Sequence, residues 1–291
     1  MLGDRFNRSW QVTKDSWQVL RANPALALFP VISGLGTLIV SVPFLIALAA
    51  ISMGDRGHGI QHHTFSTLHY ALSGAMYFCT YFVVIFFNSA LVACAHESLQ
   101  GRPTSIGSGI DAAIKRLPQI LGWTLVASTV GIILRTIGQQ TGIVGRIATA
   151  IIGIAWNIAV FFVVPCLVID QENPFAALKS STAMLKQTWG ERIILGVGVG
   201  YAIGMLALLA LIPLVAGIFL MSNNMVALGL LLLVMAVLYW IVVAVAGSAV
   251  TTIYQTALYL YSRHDTVPVG FNAEYMRSAF APRPERKFFG R

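Results

Sequence analysis

The sequence predicts an all-α integral membrane protein with six transmembrane helices, and three observations carry that prediction. Of its 291 residues, 57% are hydrophobic and only 10% are charged, whereas a soluble domain carries roughly 25% charged residues. The apolar residues run in blocks of about 20 or more, enough for a helix to cross a bilayer. The basic residues, which bring the formal net charge to +8, fall almost wholly into alternate connections between those blocks.

Residues 1–24 hold Trp10, Trp17 and charges of both signs. That is unlike the short basic start of a cleavable signal peptide, so the segment is expected to be retained. Phe6, Trp10, Thr13, Trp17 and Leu20 step by four and three, which predicts an amphipathic helix near 5–21 lying in the headgroup region. The first span follows over Ala25 to Met53, with Pro43 as a kink point. The next connection gathers Asp55, His58, His62, His63 and His69. On a helix, His58 and His62 would share a face and Asp55 would complete a metal or proton site. Gly54, Gly57 and Gly59 argue against a rigid helix, and a solvated loop is the favoured reading.

The second span runs from Tyr70 to Ala95. Ile106, Ile110, Ala113, Leu117 and Ile120 then repeat the helical step over 106–117, and Pro118 ends that helix. Ile120 to Thr136 and Ile147 to Ile169 are the third and fourth spans. A third amphipathic set, Phe175, Leu178, Thr182, Leu185 and Trp189, occupies 174–189, opened by Asn173 as N-cap and Pro174 in the first turn. The fifth span, Ile193 to Leu220, has its kink point at Pro213, and Val226 to Leu260 is the sixth. A transmembrane bundle over 1–262 thus precedes a basic tail over 263–291, with Arg283, Arg286, Lys287 and Arg291.

With the amino terminus inside, the cytoplasmic segments hold sixteen of the 19 Lys and Arg residues, leaving Arg56, Arg135 and Arg146 outside. The positive-inside rule therefore places both termini, the amphipathic helices and the tail in the cytoplasm. Basic residues beside an anionic leaflet account for the charge without a nucleic-acid partner. The partners expected are the bilayer itself and a protein or lipid on the cytoplasmic face.

Three units of one interfacial helix plus one transmembrane hairpin describe the whole order. Arg8-Ser9 with Ser16-Trp17 echoes Lys179-Ser180 with Thr188-Trp189, as a duplicated unit would. Within the spans, Asn88, Asn157 and Gln255 are the polar positions whose amides need partners. They line a polar path or, the favoured reading, hold helices together by hydrogen bonds. Gly196, Gly200 and Gly204 recur every four residues and predict a helix-packing face, with Ala244, Ser248 and Thr252 as a matching ridge.

No H-E-x-x-H, G-x-S-x-G, P-loop or C-x-x-C pattern occurs, and His96-Glu97 lacks the second histidine that a zinc helix requires. The acidic residues sit in connections and tails, offering no carboxylate pair within the bilayer. Cys79, Cys94 and Cys166 lie in apolar segments without paired spacing. The reading is of a protein with no catalytic constellation, no cofactor and no metal.

A set of short motifs spreads over nearly the whole chain: Arg5-Phe6, Ser9-Trp10, Ser16-Trp17, Leu28-Phe29-Pro30, Phe86-Phe87-Asn88-Ser89-Ala90 and Gly122-Trp123. Pro165 with Val168 and Glu172 follows, then Ser180-Ser181, Lys186-Gln187-Thr188-Trp189-Gly190-Glu191, Ala257-Leu258-Tyr259, Phe271 and Ala279-Phe280. In these the chain resembles an uncharacterised family of bacterial polytopic membrane proteins, a domain of unknown function. The resemblance implies a multi-pass protein of a bacterial cytoplasmic membrane and brings no activity with it. Two functional classes stay open: a non-catalytic membrane component that binds protein or lipid, and a transporter or exporter of a lipid or small solute.

Overall fold

The computed structural model describes residues 2–57, 67–189 and 196–273, which form helices and turns with no strand among them. In chain order they are α1 (Leu2–Ala22), a 3-10 helix (Pro24–Ala27), α2 (Leu28–Gly57), α3 (Thr67–Leu99), α4 (Ile106–Lys115), α5 (Leu117–Gln140) and α6 (Ile143–Ala159). Then follow α7 (Val163–Val168), α8 (Pro174–Trp189), α9 (Gly196–Leu209), α10 (Leu211–Ser222) and α11 (Val226–His264). Among the described residues, six helical segments are long and apolar enough to cross a membrane: Pro24–Met53, Thr67–Leu99, Leu117–Gln140, Ile143–Val168, Ile203–Ser222 and Val226–His264. A shorter helix, α1, α4 or α8, precedes each successive pair. The histidines His58, His62 and His63 and the tail beyond residue 273 lie outside the described residues.

The chain divides into two compact units, one of Ala22–Ala183 and one of Met1–Arg21 with Met184–Arg291. In the first, α3 packs against α2, α4, α5 and α7, and α6 packs back on α5. The carboxyl-terminal third of α3 is its buried part, with Ile85, Ser89 to Val92, Cys94, Ala95 and Leu99 enclosed. On α2, by contrast, Leu35, Leu38, Ile39, Val42, Leu45 and Ile46 form one exposed apolar stripe at helical spacing, as a lipid-facing surface requires. A Schellman turn ends α3: Gly101, at φ 74°, donates to Ser98 O at 3.0 Å while Arg102 donates to Glu97 O at 3.0 Å.

Proline writes the interruptions. Pro165 and Pro213 each occupy the third position of a helix, α7 and α10, where the missing N–H and the ring's clash with the carbonyl four residues back break the preceding helix. The fourth span is accordingly split at 160–162 and the fifth at Ala210. The second break was expected at Pro213; the first was not expected. Pro43 sits inside the unbroken α2, and Pro118 stands in the first turn of α5, immediately after α4 has ended.

In the second unit α9 and α10 pack on α11. Met225 donates to Leu220 O and Asn224 to Met221 O, with Asn224 at φ 62°, so a second Schellman turn joins α10 to α11. Close to it the two backbones approach at Gly217 and Gly229: a Cβ on Gly217 would stand 2.9 Å from Gly229 O, and one on Gly229 would stand 2.7 Å from Gly217 O. The amino-terminal part of α11 exposes its apolar side chains, Leu230, Leu231, Val234, Leu238 and Val242 among them. From Gly247 to Leu260 the helix is largely buried.

The amphipathic helices exist, and their buried stripes differ from the expected ones. On α1 the enclosed residues are Val12, Ser16, Val19 and Leu20, while Trp10 and Trp17 are exposed. On α8 they are Ala177, Ser181, Met184 and Leu185, while Phe175 is exposed. The expected sets put Trp10, Trp17 and Phe175 on one headgroup-facing side together with Leu20 and Leu185, whereas in the structure the leucines are enclosed and the aromatic residues are exposed. The buried stripes run at four-residue steps with a small residue in each, Val12, Ser16 and Leu20 on α1 and Ala177, Ser181 and Leu185 on α8, which lets these helices seat closely. α4 follows the same rule with Gly109 and Ala113.

Candidate functional site

The polar side chains that matter most in this fold gather where the long helices end. At the end of α3, Ser105 caps α4: its Oγ accepts from Ser108 N at 3.1 Å, and Ser108 Oγ accepts from Ser105 N at 3.2 Å, a reciprocal capping box. Ser108 Oγ also lies 3.4 Å from Glu97 Oε2 and 2.9 Å from Ser105 O. The Cys94 thiol donates to Ser105 O at 3.1 Å. Asn23 Nδ2 donates to Ser98 Oγ at 3.0 Å, tying the start of the first span to the same helix end. Gly109 seats α4 against α3, since any Cβ there would lie 2.6 Å from Cys94 Sγ and 2.8 Å from Ala90 O.

The end of α7 is built the same way. Asn173 Oδ1 accepts from Ala176 N at 2.9 Å, the expected cap, with Pro174 opening α8. Ser180 Oγ donates to Glu172 Oε1 at 2.9 Å, the counterpart of Ser108 and Glu97. Beside it the fully buried Ser181 enters the break between α6 and α7, accepting from Phe162 N at 3.1 Å and donating to Ala159 O at 2.7 Å. One hydroxyl thus satisfies a backbone donor and acceptor that the break between α6 and α7 leaves outside the helical ladder.

In the unit of Met1–Arg21 and Met184–Arg291, the break before α10 is served from α11. Tyr239 Oη donates to Leu206 O and Trp240 Nε1 to Ala207 O, both at 2.9 Å. Beyond α11, Asp265 takes the left-handed conformation, φ 49°, as its N–H closes on Tyr261 O. Asp15 of α1 accepts from Asn272 N at 3.3 Å. Burial pushes the Asp15 carboxyl above the ordinary carboxylate range, and the bond from Asn272 pulls partly the other way.

The predicted polar positions do not form one constellation. Asn88 is half-buried on α3, Asn157 is exposed on α6 and Gln255 is half-buried on α11. Gly196 opens α9, and a Cβ on Gly200 or Gly204 would meet nothing within 4 Å. The contact between α9 and α11 lies one residue away: a Cβ on Gly247 would stand 2.9 Å from Ile203 Cγ2. Of the expected ridge, Ala244 and Ser248 are exposed and Thr252 is buried.

Sequence reasoning missed Ser181, Tyr239 and Trp240. The available signal was proline inside an apolar run, because each such proline frees backbone groups that a membrane interior cannot hydrate. Chemically the serines lend protons to carbonyls and carboxylates, and their role is to fasten helix to helix. Among the described residues no three His, Cys, Asp or Glu side chains group as metal ligands would.

No curated protein and no solved structure matches the chain. The family model that does match is that of a family of unknown function, DUF6159; it spans residues 67–269, well over half of the chain, and the chain belongs to that family.

Proposed function

We propose that this chain is a non-catalytic, multi-pass component of a bacterial cytoplasmic membrane, with both termini inside, that binds lipid or protein through its cytoplasmic short helices and basic tail. One observation supports it above the others: the short helices are fastened inward by aliphatic and small residues while aromatic and basic side chains stay exposed, Trp10, Lys14, Trp17 and Arg21 on α1 and Phe175 with Lys179 on α8. Such a surface suits a negatively charged layer of headgroups or an acidic partner. The positive-inside distribution supports the orientation.

A transporter is the second reading, and the two broken spans favour it, because discontinuous helices build substrate sites in many transporters. Here Ser181, Tyr239 and Trp240 already occupy backbone groups at the breaks, which leaves fewer of them to a solute.

Single cysteines at Asn224 and Asp265 test the orientation. A membrane-impermeant maleimide should label the first in intact cells and the second only after permeabilisation; the reverse pattern would sink the proposed topology. Native mass spectrometry of the gently extracted protein then separates the classes. Retained phospholipid or a bound polypeptide is expected. A stoichiometric small solute that disappears on replacing Asn88, Asn157 and Gln255 would establish transport instead.

A further inference from the structure

We infer that the exposed face of α1 is a docking surface for the phosphate groups of anionic phospholipids, a proposal that deepens the functional reading and rests on it. Trp10, Lys14, Trp17 and Arg21 are spaced by four, three and four residues, so all four project from one face. All are exposed, the tryptophans by 38% and 49%. The face is independent of the packing of α1, which uses Val12, Ser16, Val19 and Leu20 on the opposite side. Its aromatic and basic members are already coupled, the Lys14 ammonium lying 5.7 Å from the centroid of the Trp10 ring. Asp15, the neighbouring acid, is engaged by Asn272 N.

The composition of this face names its occupant. Indole rings settle at the depth of the headgroups, with their apolar body toward the acyl chains and the N–H toward water. Lysine and arginine stems extend along the same surface and carry the charge to the phosphate layer. Two tryptophans and two cations on one stripe therefore match an anionic leaflet in both polarity and charge, and α1 leads directly into the first span, which keeps it beside the membrane. Each basic residue near such a surface shifts the docked population about fivefold.

The test uses the full chain with Cys79→Ser and a nitroxide on Gln18→Cys, an exposed position at the rim of the face. Nanodiscs of phosphatidylcholine alone are compared with nanodiscs that include phosphatidylglycerol, and collision with a water-soluble nickel chelate is read from power saturation. The label should be shielded when phosphatidylglycerol is present. Lys14→Gln with Arg21→Gln should weaken the docked population about 25-fold, and high salt should weaken it in the labelled protein with both charges intact. Equal accessibility in both lipids, or shielding indifferent to charge and salt, would overturn the proposal. Shielding in native membranes but in neither nanodisc would overturn it too, by placing a protein on this face. A nanodisc offers the same lipid on both sides, so this result does not depend on the orientation of the chain, and a failure here is distinct from a failure of the topology.

Discussion

A methyl group at position 109 would sit 2.6 Å from Cys94 Sγ and 2.8 Å from the Ala90 carbonyl and from Phe29 Cζ. The obstacle includes backbone, so α4 must move as a whole. Gly109→Ala should lower stability by about 1–3 kcal/mol, visible as a lower melting temperature in detergent; an unchanged midpoint would mean that α4 does not seat there. The Asp15 carboxyl yields a pH dependence. Its pKa is raised in the folded state, chiefly by burial, so the stability linked to its proton is complete below the ordinary carboxylate pKa and is lost as pH rises through the raised value. Melting temperature should therefore fall as pH increases from about 4, and Asp15→Asn should flatten that segment of the profile. At this scale the sequence was least legible. Asn88, Asn157 and Gln255 were found by polarity, which marks a need for a partner without saying which side of the helix meets one. Gly200 and Gly204 were found by spacing, and the close approaches fall instead at Gly217, Gly229 and Gly247, because spacing defines a stripe but not the neighbour that lies against it.

Two spans are interrupted helices, and each interruption is closed by side chains from another helix. Ser181 is fully buried and holds both a donor and an acceptor, whereas Tyr239 is half-buried and holds one carbonyl. Ser181→Ala should therefore cost about 1–3 kcal/mol and Tyr239→Phe about 1 kcal/mol. Thermal melting of the two variants gives the order; Tyr239→Phe as the more damaging change would contradict the assignment of Ser181 as the closure of its break. Element existence was legible throughout, since length and hydropathy decide which segments cross, and Asn173 and Pro174 gave the start of α8 correctly. The break at 160–162 was not read, although Pro165 was in plain view, because continuous hydropathy masks a discontinuous backbone. The faces of α1 and α8 were drawn too wide for a different reason: apolar spacing groups an exposed aromatic residue with a leucine that packs inward, as Trp17 with Leu20.

At the scale of the molecule, six apolar segments with a short helix before each pair were legible from composition and spacing, and the described residues have that order. The proposed topology draws on the same long-range regularity, a charge bias that no single residue carries. Of the two boundaries between the compact units, one coincides with the end of α1 just before Pro24, and the other had no sequence signal, because it falls between Ala183 and Met184 inside the continuous helix α8. Helix length was likewise underestimated. α11 has 39 residues and spans about 58 Å at about 1.5 Å per residue, nearly twice the hydrocarbon thickness of about 30 Å. Its exposed apolar half is enough for the crossing, and its buried half belongs to the protein interior.

The turn at Asn223 to Met225 bears on how the chain is made. It contains no charge, its own backbone groups close it, and the helices on either side touch at Gly217 and Gly229 within two turns of it. The contacts that pair the last two spans therefore lie within the hairpin itself. In the proposed topology, with this turn outside, no charged group has to be carried across the bilayer with it.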